Sequence, residues 1–124
     1  LYSKQWRELV EDFSGLDRGA LTNEVDCAIN CHDTGCHLLC HDDVIGTRKI
    51  SFILYLTDPE PEWIDEDGGR LELYDHTTEM TNGIENKIPG VIPSKTILPT
   101  FNSMAYFAVE PGVSFHSVQE VLGQ

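Results

Sequence analysis

Cys36-His37-Leu38-Leu39-Cys40-His41-Asp42-Asp43 closes on His-x-Asp, just ahead of the apolar run Ile50-Ser51-Phe52-Ile53-Leu54-Tyr55-Leu56-Thr57. Read as a strand, the stretch alternates its side chains between two faces. Leu39, His41 and Asp43 then point one way, and Leu38, Cys40 and Asp42 the other. An imidazole and a carboxylate two residues apart on one face are separated by about 6–7 Å along the strand, within reach of one ion. Asp42 is expected to face outward.

A third ligand has to come from another strand. His116, in Val113-Ser114-Phe115-His116, lies 75 residues after His41 and is the natural supplier. Two imidazoles and one carboxylate on one face of an octahedron leave three positions open. That facial arrangement suits Fe(II) in non-haem oxygenases, which bind a bidentate co-substrate and O2 at the open positions. His41, Asp43 and His116 are therefore the expected metal ligands. A lone His-x-Asp is a weak signal, and it is the distal histidine after further strands that strengthens it. His32 has its aspartate adjacent and facing away. His37 falls on the His41 face, as a packed or hydrogen-bonded residue. His76 sits in a polar loop.

The cysteines Cys27, Cys31, Cys36 and Cys40 leave three readings open. They are paired disulfides, or a zinc cluster with the neighbouring histidines, or free thiols. The spacings lack the tight C-x2-C knuckle of structural zinc sites. Free, mostly buried thiols are the default expectation.

Outward from the motif, residues 2–13 read as an amphipathic helix, with Trp6, Leu9, Val10 and Phe13 on one face and Ser14-Gly15 as the stop. This helix is expected to pack on the outside of a sheet. Residues 25–32 and 36–43 read as two strands joined by Asp33-Thr34-Gly35. The run 50–57 is apolar on both faces and predicts a central strand. The segment 58–67 carries two prolines, six acids and no base. It reads either as a solvated variable loop or as a loop at the mouth of the site that guides a basic segment, with Trp63 as a contact. Leu71 and Leu73 share a face of the next strand. Residues 75–102 are the least regular, divided by Pro89, Pro93 and Pro99, with a short strand or two hinted at by Ile92, Ile97 and Leu98. Residues 103–109 read as another strand, and a last element starts near Val118. Many short strands after one leading helix predict a sandwich or barrel, spanning 25–122 within one domain of 124 residues.

Net charge is −13. It argues against direct contact with a nucleic-acid backbone and is compatible with a Lys/Arg-rich protein partner. No apolar run approaches the ~20 residues of a membrane span, so no membrane partner is expected. The chain opens without Met or a leader pattern and is expected to be a fragment or a processed piece.

Four blocks in order carry a family resemblance: Leu38 to Asp43, Ile50 to Leu56, Gly68-Gly69-Arg70-Leu71-Glu72-Leu73-Tyr74, and Val113 to Leu122. Together they resemble the eukaryotic ribosomal-protein prolyl hydroxylases, whose fungal members are also known as termination and polyadenylation proteins. The resemblance implies a mainly β, double-stranded β-helix (jelly-roll) fold with a leading helix, incomplete at the C-terminus. It implies Fe(II) and 2-oxoglutarate as cofactors, ascorbate as reductant, and residence in the cytoplasm, the nucleus or both. The implied activity is hydroxylation of a proline in a basic segment of a small-subunit ribosomal protein. His41, Asp43 and His116 match the ligand positions. Tyr55 matches the tyrosine that hydrogen-bonds the 2-oxoglutarate carboxylate. The family arginine that anchors the far carboxylate falls past Gln124, so this segment is expected to hold metal better than 2-oxoglutarate. Arg48, Lys49 and Arg70 are expected to be solvated. Two rival readings stand beside this one: a cupin-like metalloprotein with another reaction or a binding role only, and a Cys/His zinc module.

Overall fold

A computed structural model describes residues 1–123. They form two compact units, residues 1–31 and the remainder from His32 onward. The first unit is built on helix α1 (Lys4–Ser14). Ser3 caps its first turn, its Oγ accepting from the Trp6 N–H at 3.1 Å. Gly15, at φ +71°, ends it in the left-handed region that glycine enters without a Cβ clash. Glu11 is buried, and its Oε1 accepts the N–H groups of Gly19 and Leu21, both at 3.0 Å. Those bonds, Leu21's first, hold its carboxyl below the usual range. The carboxylate thus closes the residues after the helix back onto it.

The second unit is mainly β. Its strands are β1 (Leu38–His41), β2 (Ile50–Tyr55), β3 (Leu71–Leu73), β4 (His76–Thr81), β5 (Ile84–Pro89), β6 (Lys95–Ile97), β7 (Ser103–Ala108) and β8 (His116–Val118). They make a four-stranded antiparallel sheet in the order β1-β8-β3-β6, a ribbon of β2 with β7, and a hairpin of β4 with β5. With its leading helix and antiparallel sheets, the chain has the jelly-roll architecture expected from its sequence.

Register decides what faces inward, because residues directly opposite in an antiparallel pair share a face. One rung of the large sheet joins His41, His116, Leu73 and Lys95. The next joins Val118, Leu71 and Ile97, and Leu71 is wholly buried. In the ribbon, Ser51 lies opposite Phe107, Ile53 opposite Ala105, and Tyr55 opposite Ser103. This is the inward face, since Ser51 and Phe107 both touch the ligand residues described below. Gly68 and Gly69, at φ +69° and +67°, lead into β3. A Cβ on Gly68 would run into the Glu120 carbonyl oxygen, and one on Gly69 would stand 3.1 Å from the Trp63 ring.

Several expectations need correction. Residues 25–32 form no strand; the segment packs no apolar face, with Ile29 fully exposed. The run at 50–57 is not central. Among the described residues it pairs with β7 alone, and Leu54 on its outer face is 45% exposed. The irregular stretch 75–102 contains a full hairpin, turned by Asn82 and Gly83 at φ +54° and +78°. Two left-handed residues at the centre of a two-residue turn suit the twist of a hairpin. The loop 58–67 leaves β2 after Tyr55 and returns at Leu71, both on the deep rungs. It therefore lies at the end of the barrel opposite Ser51 and His116, not at their mouth. Trp63 is buried, with its Nε1–H donating to the Gly68 carbonyl at 3.0 Å, so it is scaffold rather than a contact surface.

Leu71→Ala should cost about 2–5 kcal/mol, as for other buried leucines. Gly68→Ala should cost at least as much through collision with Glu120. Both are read as a lower denaturation midpoint. A midpoint unchanged in Leu71→Ala would contradict the assignment of β3 to the core.

Candidate metal centre

Strand β1 ends at His41, and Asp43 is not on it. Asp43 has φ +61°, a left-handed backbone that costs a non-glycine residue about 1 kcal/mol or more, although aspartate tolerates it better than most. The twist brings its carboxylate back beside His41, where a continued pleat would have carried it onward. Neighbouring bonds hold the twist. The Asp42 Oδ2 accepts the Gly112 N–H at 3.1 Å, and the Asp42 carbonyl accepts the Ser114 hydroxyl at 2.7 Å. Asp42 does not face outward into solvent, as strand alternation predicted. It ties the first ligand segment to the turn that leads into His116.

Three ligand atoms converge. His41 Nε2 lies 3.2 Å from Asp43 Oδ1, and His116 Nε2 lies 3.8 Å from Asp43 Oδ2. The two imidazole centroids are 4.2 Å apart, and one atom from each residue falls within 4.8 Å of the others. The other ring nitrogens are engaged alike. His41 Nδ1 meets the Leu39 carbonyl at 2.7 Å, and His116 Nδ1 meets the Ser114 carbonyl at 2.8 Å. A carbonyl only accepts, so each Nδ1 carries the proton and each Nε2 presents a lone pair. This is the outer bond that fixes tautomer and ring direction in metal sites.

The protonation states suit a cation as well. Burial pushes the His116 imidazole below its ordinary 6.5, helped by His41 and opposed by the Ser114 carbonyl and Asp43. Burial alone would raise the Asp43 carboxyl. The Ser51 hydrogen bond, with His116, Arg48 and His41, outweighs that and holds it low. A neutral imidazole and an ionised carboxylate are the forms that ligate. The donor set therefore fits a divalent metal, with two nitrogens and one oxygen on one side and an open side opposite.

Three side chains that the sequence reading did not assign to the site support it. The Ser51 hydroxyl donates to Asp43 Oδ2 at 2.6 Å. Arg48, expected to be solvated, places Nη1 3.3 Å from the same oxygen. Phe107 packs its ring 4.5 Å from that of His116. The signal for Ser51 was one hydroxyl at the start of an apolar strand, which wants a partner if it faces inward. Arg70 is also paired, with Asp65 and with the Thr96 hydroxyl. Tyr55 shares the inward face of β2 with Ser51, about 13 Å deeper along the strand, and burial pushes its hydroxyl up to about 12.

The remaining candidates stay apart. Among the described residues, His41, Asp43 and His116 are the group placed to hold a metal. His32, His37 and His76 are exposed. All four cysteines are exposed and none is in a disulfide, no zinc cluster of cysteines and histidines is present among the described residues, and the expected burial of the thiols is corrected. They lie on coil or on the exposed edge strand β1, where no core reaches them.

Co(II) should bind at a 1:1 ratio by calorimetry. His116→Ala or Asp43→Ala should weaken it by at least about 100-fold, and Ser51→Ala by about 10–100-fold through loss of an outer-shell bond. Replacing all four cysteines with serine should leave it unchanged. Proton linkage has a clear sign. With the His116 value depressed in the fold, the unfolded chain binds more protons. This share of apo stability is full above 6.5 and is lost as pH falls from there through the depressed value. His116→Gln should flatten the change in denaturation midpoint over that window.

The chain matches the family model described as the 2OG-Fe(II) oxygenase superfamily over residues 27–124. It is 50% identical over 121 residues to a prolyl 3,4-dihydroxylase OGFOD1 of Ostreococcus tauri, covering 98% of this chain and 22% of that protein. It is 42% identical over 120 residues to a prolyl 3-hydroxylase OGFOD1 of Xenopus laevis, covering 92% and 21%. A mouse prolyl 3-hydroxylase OGFOD1 is 36% identical over 124 residues, covering 100% and 20%. The chain thus spans about a fifth of the length of the curated relatives it matches. With two histidines and an aspartate gathered inside an antiparallel barrel, and with the match running from Cys27 onward, the chain belongs to the 2OG-Fe(II) oxygenase superfamily.

Proposed function

We propose that this chain is the metal-holding part of a prolyl hydroxylase that uses Fe(II) and 2-oxoglutarate, and that its substrate is a basic segment of a small-subunit ribosomal protein. The observation that carries the reading is the convergence of His41 Nε2, Asp43 and His116 Nε2 with both Nδ1 atoms already engaged. The names of the relatives add proline as the residue acted on. Net charge of −13 favours a basic protein segment over direct contact with nucleic acid. The ribosomal target rests on the four-block resemblance.

Fe(II) bound here would supply the O2 chemistry of the superfamily. The balance is one prolyl C–H, one 2-oxoglutarate and one O2 giving one prolyl C–OH, one succinate and one CO2. The chain's own residues have separate tasks. His41, Asp43 and His116 hold the ion. Ser51 and Arg48 fix the Asp43 carboxylate from behind, and Phe107 limits water beside His116. Tyr55, by the resemblance, would donate its hydroxyl to a carboxylate of bound 2-oxoglutarate. A hydroxyl held up to about 12 stays protonated throughout the physiological range, as that donation needs. Ascorbate serves as reductant, and the protein works in the cytoplasm, the nucleus or both.

Mass spectrometry of a proline-centred ribosomal peptide incubated with the protein carrying this chain tests the reading. The expected gain is the mass of one oxygen atom on proline, dependent on both Fe(II) and 2-oxoglutarate and abolished in His41→Ala. Tyr55→Phe should raise the KM for 2-oxoglutarate about three- to tenfold, the worth of one hydrogen bond. Absence of the added oxygen with folded, iron-loaded protein would overturn the assignment.

A further inference from the structure

Hairpin β4–β5 has no role in holding the metal, yet it is built onto the site. It leaves the large sheet directly after Tyr74, whose N–H donates to the Phe115 carbonyl at 2.9 Å, one residue before His116. Its base is closed by the Gly90 N–H to the Asp75 carbonyl at 2.7 Å. The stem of Lys87 lies on Gly112, where an added Cβ would stand 3.0 Å from the Lys87 Cβ. Gly112 is the residue whose N–H binds Asp42, next to the ligand Asp43. The hairpin therefore rises from the rim of the metal-bearing end.

Beyond that rim the hairpin stands alone. Its two strands pair with each other, and neither outer edge has a ladder partner among the described residues. Every residue from His76 to Lys87 is exposed, including Met80 at 66% and Ile84 at 64%. An isolated two-stranded ribbon is marginal in water, and free edges are templates for another strand. At its foot lies a cleft of about 270 Å³ lined by Leu73, Asp75, Phe107, Val113 and Phe115 among others. Phe107, the ring against His116, is one wall of this cleft, so the cleft borders the metal centre.

Resting on the prolyl-hydroxylase reading, we infer that the exposed edge of the β4–β5 hairpin takes the substrate as an added strand and feeds its proline into the mouth. The chemistry of the occupant fits. The residue before a proline is driven to extended backbone, so a proline-bearing segment arrives in strand conformation rather than as helix. Proline has no N–H to give to a ladder. Pairing along the hairpin edge must therefore break at the target itself, which frees that residue to turn away from the edge toward His41 and His116. Glu79 and Glu85 on the hairpin, with Asp75 at its base, offer carboxylates to a basic segment. In this mode main-chain bonds supply affinity, and the cleft at the foot reads one side chain beside the target.

Peptide chemistry tests this without altering the protein. In a proline-centred ribosomal peptide, single backbone N-methyl groups are placed at successive positions flanking the proline. The expected KM rises roughly three- to tenfold at every second position, because only alternate N–H groups face the hairpin, while kcat stays unchanged. A variant in which residues 77–88 are replaced by Gly-Gly should lose this alternation and raise the KM of the unmethylated peptide about tenfold or more. Its Co(II) affinity should remain that of the parent. Turnover with a KM indifferent to methylation at every position, or alternation that survives in the shortened variant, overturns strand addition and leaves the prolyl reading standing. Absence of prolyl oxidation in the unmethylated peptide overturns both.

Discussion

The site depends on bonds between two short segments that are 70 residues apart in sequence. Asp42 accepts the Gly112 N–H and the Ser114 hydroxyl, while β1 and β8 pair so that His41 stands opposite His116. Closing a loop of that length has a chain-entropy cost that grows only slowly with its size. What makes closure worthwhile is that β8 is shared. It pairs with β1 on one side and β3 on the other, so the strand that delivers the second histidine is also interior to the large sheet. A ligand on such a strand cannot drift without breaking two ladders. His116 is accordingly 4% exposed, whereas His41, on the edge strand β1, is half-buried.

The same economy of parts governs Asp43. Its left-handed backbone would be a poor choice in isolation, and the chain tolerates it because the preceding residue and its own carboxylate are both pinned. Asp42 is held to the 112–114 turn, and the carboxylate of Asp43 is held by Ser51 from β2. The large sheet and the ribbon are thus joined through one carboxylate. A cation taken up between Asp43 and the two imidazoles would cross-link β1 and β8 of the large sheet, and would reach β2 of the ribbon through the Ser51 bond to Asp43. That is the sense in which metal binding and barrel stability are linked here.

The sequence disclosed residue types more reliably than it disclosed geometry. His41, Asp43 and His116 were legible because few other chemistries need that trio in that order. The reason given for the pair was wrong, since strand alternation does not place Asp43; a positive φ does, and no spacing rule announces one at a non-glycine. The apolar run at 50–57 gave a strand but not its place in the sheet, because an apolar outer face looks the same in sequence whether it is covered or half-exposed. The Asn82-Gly83 pair was a legible hairpin signal that the polar residues around it concealed. A strand exposed on both faces carries no hydrophobic alternation, so the period-2 pattern had nothing to show. Arg48 was invisible for a different reason: its partner is fixed by the turn at 43–49, a property of the tertiary structure alone.

Charge shows the same separation of composition from place. The net −13 invites an acidic mouth, yet the six acids of 58–67 sit at the far end of the barrel, beyond the deep rungs of β2 and β3. Four of the five bases from His32 onward, namely Arg48, Lys49, Lys87 and Lys95, belong to the metal-bearing end. The separation along β2 alone is about 13 Å, longer than the ~8 Å over which charges are screened at physiological ionic strength. The distal acids can therefore bias the approach of a basic segment at long range but contribute little to its hold at the metal. Complementarity at the mouth has to come from nearby carboxylates. Asp43 is placed to hold a metal and Asp42 binds Gly112, so the exposed carboxylates of Glu110, Asp75 and the hairpin residues Glu79 and Glu85 remain for the basic segment proposed above.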